Sequence, residues 1–203
     1  MLEWFLSNYI ELFGVLSGLI YIYLEIKANI WLWPVGIITA AFYIIVFAQA
    51  KFYADMGLQV YYLIIFIYGL LIWLRKGKKH SKETTRETQI RNITRKESLI
   101  YSIPTIGIYF IIYVILLKYT DSPLPAWDSF TTALSIVATF MLAHKIIEQW
   151  WIWIVVNIVS LGLYIYKDLY MTAFLFIVYG VMACVGYFEW KKLQNATRSS
   201  NNS

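Results

Sequence analysis

The chain has 203 residues, of which 60% are hydrophobic and 14% charged, and it carries a formal net charge of +5. A soluble domain usually holds roughly 25% charged residues, and a chain this short cannot hide so much apolar surface within itself. That balance excludes disorder and a nucleic-acid-binding domain, and the lone Cys184 excludes a disulfide scaffold. Lipid has to cover the surplus.

Taking Asp, Glu, Lys, Arg and His as dividers leaves seven long uncharged stretches: 12–24, 28–50, 56–74, 98–117, 129–143, 149–166 and 169–188. A membrane-spanning helix needs about 20 largely apolar residues. Five of the stretches fall in that range, and the first and fifth reach it with flanking residues. None shows the short alternating segments of a barrel strand. The predicted fold is therefore an all-α integral membrane protein with seven transmembrane helices. No secretory signal is evident in Met1–Glu11, where Trp4, Phe5, Tyr9 and Ile10 read as an interfacial lead-in to the first span.

Basic residues set the expected orientation. The segment Arg75–Lys96 holds nine Lys and Arg residues, which assigns it to the cytoplasm. Lys27, Lys145, Lys191, Lys192 and Arg198 then fall inside, and only Lys51, Lys118 and Lys167 fall outside. The N-terminus is expected outside and the C-terminus inside. The basic segment reads as a solvated linker that fixes topology, or else as a lipid-headgroup or regulatory contact. The tail Gln194–Ser203 reads as polar and frayed.

The spans repeat. At an offset of 118, Leu16-Ser17 meets Leu134-Ser135, Leu24 meets Leu142, Lys27 meets Lys145 and Trp33 meets Trp151. With one residue removed, Tyr53, Tyr62, Gly69 and Trp73 fall on Tyr170, Tyr179, Gly186 and Trp190. Two triple-helix units joined by one linking helix make parallel repeats, with a substrate site expected near the midplane. This 3+1+3 arrangement resembles the sugar-transporting SWEET proteins. Along the chain the expected segments are 1–74, a basic loop 75–96, a linking helix and outer loop 97–128, a second triple-helix unit 129–190 and a tail 191–203.

Few polar residues lie within the spans. The sixth carries Trp150-x-x-Trp153-x-x-x-Asn157, a spacing that places all three on one helix face. Two indoles beside an amide can sandwich a flat ring and read its polar edge; equally, Asn157 can join two helices while the tryptophans anchor the interface. The third span carries Gln59-x-x-Tyr62, and Gln59 is both donor and acceptor, suited to a carboxamide or a ribose hydroxyl, or to a neighbouring helix. Glu25, with Ala143 as its counterpart, is a counter-charge for a cationic substrate or an interfacial partner of Lys27. Thr39, the position matching Asn157, and Tyr43 one turn beyond it are expected to line the path. Phosphate loops, metal-ligand spacings and nucleophile elbows are absent from the sequence, so neither an enzyme nor a cofactor is expected.

The strings KFYADMGLQVYYLIIFIYGLLIW (51–73), WDSFTTALSIVA (127–138), EQWWIWIVVNIVSLGLYIYK (148–167) and GYFEW (186–190) carry a family resemblance. Across residues 14–192 the chain resembles the PnuC family of bacterial nicotinamide riboside transporters. The resemblance implies the seven-helix 3+1+3 fold, a homotrimer in the bacterial inner membrane, and facilitated diffusion of an unphosphorylated vitamin precursor trapped by a cytoplasmic kinase. It maps the family's ligand-binding motifs onto Trp150, Trp153 and Asn157 and onto Gln59 and Tyr62. Relatives of the PnuT type are similar and carry thiamine, and others carry riboflavin. Glu25 and the LEIKANIWLWP segment look more like the thiamine type, and nicotinamide riboside stands first among these alternatives.

Overall fold

The computed structural model describes residues 2–49, 53–78, 90–120, 122–168 and 170–200. Seven helices run through them: α1 Leu2–Ile26, α2 Leu32–Gln49, α3 Tyr53–Lys78, α4 Arg95–Tyr119, α5 Pro125–Ala143, α6 Gln149–Tyr166 and α7 Tyr170–Ser200. By length and composition, α2 to α7 each contain a section able to cross a membrane, and α1 contributes the shorter apolar section Phe13–Ile26. The seven uncharged stretches thus become seven helices of an integral membrane protein.

The chain divides into two compact units, Met1–Thr85 and Arg86–Ser203. In the first, α2 packs on both α1 and α3; in the second, α4 packs on α5, α5 on α6 and α6 on α7. Short connections force such sequential antiparallel packing. α4 belongs to the second unit yet buries no residue, and Ile103, Phe110 and Ile111 are among its exposed side chains. A helix apolar all round and unburied by protein is one that faces lipid.

The turn after α1 and the turn after α5 have the same backbone. Ala28 and Lys145 both adopt left-handed conformations, with φ of 47° and 54°. The Ala28 amide donates to the Glu25 carbonyl at 2.9 Å and Asn29 to Leu24 at 2.9 Å; Lys145 donates to Leu142 at 2.9 Å and Ile146 to Met141 at 3.1 Å. These are Schellman closures, which satisfy the last carbonyls of a helix. In the first turn the Asn29 side chain also accepts from the Trp31 amide at 3.0 Å.

Those matched turns correct the register of the repeat. The offset is already 117 at the first turn, so Lys27 matches His144, and Trp33 matches Trp150 rather than Trp151. Glu25 matches Leu142 instead of Ala143, and Asn157 matches Ala40 rather than Thr39. Single-letter identities fit either of two neighbouring offsets, whereas the turn geometry has no such freedom. Neither left-handed position holds the glycine that such a site favours. Replacing Ala28 by Gly should stabilise the protein by about 1 kcal/mol, seen as a midpoint rise of a few degrees in thermal unfolding; an unchanged or lower midpoint would contradict this account of the turn.

The basic segment is more than a solvated linker where its end is described. Arg91 pairs with Ile146 as a parallel bridge, donating to the Lys145 carbonyl at 3.0 Å and accepting from the Ile147 amide at 3.0 Å. Glu148 accepts from the Ile93 amide at 2.9 Å and from Asn92 Nδ2 at 3.0 Å. From α7, Gln194 Nε2 donates to the Ile90 carbonyl at 3.2 Å and to Asn92 Oδ1 at 3.0 Å. Residues 90–94 are therefore a strap across the α5–α6 turn and the end of α7. The tail does not fray at Gln194, which is buried beneath the strap, and the helix continues to Ser200.

The strap leads directly into α4. Thr94 caps the helix: its Oγ1 accepts from the Glu97 amide at 3.3 Å while Glu97 accepts from the Thr94 amide at 3.0 Å, a reciprocal capping box. The same Glu97 carboxylate takes two hydrogen bonds from Arg91, both at 2.7 Å, and they raise the Arg91 pKa. Glu148→Ala removes two of the strap's anchors. It is expected to cost roughly 1–3 kcal/mol of local stability, read as at least about tenfold faster hydrogen exchange at the Ile93 amide. An Ile93 amide with wild-type protection would show the strap to be held without Glu148.

At the opposite end of the second unit, Lys167 Nζ meets Asp128 at 3.1 and 3.3 Å, and Ser122 Oγ donates to the same carboxylate at 2.6 Å. This ties the start of α5 to the end of α6.

Candidate functional site

Each unit is built around a fully buried tryptophan. In the first, the Trp33 ring lies against Gly69, where an added Cβ would overlap it. Its edge meets Trp73 at 5.4 Å and 85°. In the second, Trp150 lies against Gly186 in the same way and meets Trp190 at 5.7 Å and 87°. Both rings are 0% exposed. A glycine allows the indole to reach the backbone of the facing helix, the close approach that holds membrane helices together by dispersion. The structure therefore places Trp150 in the packing of α6 on α7, with no part of its surface open.

Trp153 and Asn157 follow on the same helix with different surroundings. Trp153 is half-buried, and its Nε1 has no acceptor among the described residues. Its match in the first unit is Gly36, against which Phe66 packs, and the match of Phe66 is the buried Ala183. Large and small residues have thus exchanged helices between the units. Asn157 is 6% exposed, and Gly180 leaves room beside it, an added Cβ there lying 3.8 Å from the Asn157 Cβ. Among the described residues the Asn157 amide makes no hydrogen bond. Ser160, one turn on, is also buried. It extends the face that Trp153 and Asn157 begin, and its place three residues after Asn157 is a signal the motif reading passed over.

In the first unit, Gln59 and Tyr62 are half-buried on α3, and neither polar group hydrogen-bonds to another described residue. The Tyr62 ring stacks on Phe66, with centroids 5.8 Å apart and planes 15° apart. Tyr21 of α1 meets the other side of this cluster, its ring 5.5 Å from Phe66. Tyr21 lies within electrostatic reach of both Glu25 and Tyr62. Glu25 itself is 3% exposed. The structure thus brings Tyr21 and Tyr62 into one ring cluster around Phe66, and Tyr21 stands one turn before Glu25 on α1.

Thr39 and Tyr43 are placed differently. The Thr39 hydroxyl donates to its own helix, to the Val35 carbonyl at 2.9 Å. Tyr43 stacks on Phe47 at 5.6 Å, and its hydroxyl end fills the space beside Gly14. Both are occupied within α1 and α2.

Within each unit a half-buried ring shares its helix with a polar side chain: Tyr62 with Gln59 on α3, and Trp153 with Asn157 on α6. Polar groups inside membrane helices are costly unless paired, and mark solute pathways when they are not. No group of three or more His, Cys, Asp or Glu suited to a metal ion occurs among the described residues.

A family model described as nicotinamide mononucleotide transporter matches residues 8–192. The chain is 24% identical to the nicotinamide riboside transporter PnuC of Escherichia coli (strain K12), over 90% of this chain and 85% of the relative. It is 28% identical to the nicotinamide riboside transporter PnuC of Neisseria mucosa, over 89% of this chain and 71% of that one. The riboflavin/roseoflavin transporter RibM of Streptomyces davaonensis is 22% identical over 89% of this chain and 83% of its own. The crystal structure of the vitamin B3 transporter PnuC shares the fold, with a TM-score of 0.70 at 24% identity, covering 93% of this chain and 83% of that chain.

Proposed function

The chain belongs to the nicotinamide mononucleotide transporter family, and from that premise we propose that it carries nicotinamide riboside across the bacterial cytoplasmic membrane by facilitated diffusion. The observation that supports this reading is the face of α6 on which the half-buried Trp153 has no acceptor for its Nε1 and the buried Asn157 amide makes no hydrogen bond among the described residues. Asn157 offers one donor group and one acceptor, the complement of a carboxamide. Gln59 suits a ribose hydroxyl in the same way. Half-buried aromatic rings such as Tyr62 supply the faces on which a pyridinium stacks.

The uncharged stretches also separate the riboside from its phosphorylated form. They contain no Lys or Arg, whereas a phosphate brings about two negative charges that need cationic partners. On this reading a cytoplasmic kinase retains the vitamin by making a product the spans do not accept. The proposed orientation places the N-terminus outside and the C-terminus inside. In the second unit, Arg91 meets Lys145 at the end where α7 carries Lys191 and Lys192, while Lys167 pairs with Asp128 at the other end.

The direct measurement is counterflow of labelled nicotinamide riboside in protein-only liposomes, without an ion gradient or ATP. Exchange under those conditions is the expected result; none at all would overturn passive transport. Counterflow of labelled thiamine or labelled riboflavin under conditions where labelled nicotinamide riboside does not exchange would identify a different cargo.

A further inference from the structure

Each unit shows what the other's packing requires. At the offset of 117, the face of α2 bearing Gly36, Ala40 and Tyr43 matches the face of α6 bearing Trp153, Asn157 and Ser160. In the first unit that face is closed by packing: Phe66 covers Gly36, Ala40 is buried, and the hydroxyl end of Tyr43 fills the space beside Gly14. In the second unit the residues matching Tyr43 and Gly14 are Ser160 and Thr131, small on both helices. The fold is satisfied at these positions without an amide or a serine, and only α6 carries them.

Ser160 also departs from the other buried hydroxyls. Ser17, Ser129, Ser135 and Thr139 each donate to a carbonyl one turn back on their own helix, at 2.6–3.2 Å, the usual resolution for a hydroxyl within a helix. Ser160 is 6% exposed and makes no such bond, and neither it nor the Asn157 amide bonds to another described residue. Rings stand one turn beyond each of them. Trp153 precedes Asn157, and Tyr164, stacked on Phe176 of α7 at 5.0 Å, follows Ser160.

Buried polar groups are costly until their hydrogen bonds are made, so this pair suits a flat head group that completes them. A primary carboxamide presents two N–H donors and two acceptor lone pairs. Asn157, an amide itself, takes one of each. Ser160 stands three residues on, about 4.5 Å along the helix axis, and its hydroxyl can accept the second N–H. We propose that Ser160 is a specificity-determining residue that contacts the solute beside Asn157 and selects a primary carboxamide over head groups lacking the second N–H. This rests on the proposed transport of nicotinamide riboside and adds to it the residue that completes recognition of the amide.

The test is a cycle between one side chain and one solute atom. Nicotinamide riboside and its N-methyl amide, in which a methyl replaces one amide hydrogen, are bound to the purified full chain in nanodiscs, wild type against Ser160→Ala. The wild type should prefer the primary amide by about tenfold or more. Ser160→Ala should weaken nicotinamide riboside by about three- to tenfold and shrink that preference to within about threefold, because the replaced hydrogen then has no partner to lose. Its unfolding midpoint without solute should stay at the wild-type value, since no bond within the protein is broken. Equal binding of the two probes by the wild type, or a preference undiminished in Ser160→Ala, overturns the contact and leaves the transport reading standing. Binding of neither probe by the wild type overturns that reading and the contact with it. Ser160→Gly reports the same ratio if the Ala variant is not recovered folded.

Discussion

Replacing Asn157 by Leu should reduce counterflow of nicotinamide riboside by about 10- to 100-fold, because a ligand amide left without its partner inside an apolar site forfeits roughly 1–3 kcal/mol. The same substitution should leave thermal stability unchanged or slightly higher. Asn157 is 6% exposed and makes no hydrogen bond within the described structure, so a leucine, branched alike and somewhat larger beside the room that Gly180 leaves, removes a desolvation cost and breaks no hydrogen bond. The opposite movement of activity and stability is the diagnostic. A structural amide would give the reverse pattern, with stability falling and the uptake of surviving protein intact. Unchanged uptake would remove Asn157 from the solute path.

Gly186→Ala is expected to be the most damaging conservative change outside that path. The new Cβ overlaps three carbons of the Trp150 ring, which is fully buried and held edge-on by Trp190. The indole has nowhere to go. Overpacking of this kind costs roughly 1–3 kcal/mol or more, and Gly69→Ala should behave alike through Trp33. Gly162→Ala is the control: nothing lies within 4 Å of its added Cβ, and alanine gains up to about 1 kcal/mol of helix propensity there. Unfolding midpoints in detergent should therefore fall for the first two variants and hold or rise for the third. Combining Gly186→Ala with Trp150→Phe should recover part of the loss, since the smaller ring vacates the contested volume. Equal midpoints for Gly186→Ala and Gly162→Ala would mean that the tryptophan–glycine contact does not support the fold.

The elements themselves were legible because each depends on local chemistry. Seven uncharged stretches became seven helices, and the Thr94-x-x-Glu97 spacing corresponds to a capped start for α4. Gly69-x-x-x-Trp73 and Gly186-x-x-x-Trp190 announced the repeat, though not their use as two cradles for Trp33 and Trp150. The off-by-one register arises because isolated letter identities, among them the buried Ser17 with Ser135, also fit the neighbouring offset. Only the paired left-handed residues Ala28 and Lys145 fix it. The loop and tail were read as solvated on composition, yet Gln194 and Glu148 bind the strap from positions more than 50 residues away in the chain. No local rule connects them.

The candidate site shows the same division. Trp150 and Trp153 stand three residues apart in one motif and read alike in the sequence. Neither indole N–H has an acceptor among the described residues, but the Trp150 ring is sealed beneath Gly186 whereas Trp153 is only half-buried. Glu25 reads as an interfacial acid beside Lys27 until its burial near Tyr21 is seen.

By itself, the sequence determined that this chain lives in lipid, how many times it turns through it, and that its halves are related. Transfer into a bilayer is close to a sum over residues, so composition and the spacing of charges suffice. Tertiary structure decided which polar and aromatic side chains are sealed within the packing and which are only half-buried. That depends on what the facing helix places opposite each one: glycine beneath Trp150 and, among the described residues, no hydrogen-bond partner for the amide of Asn157.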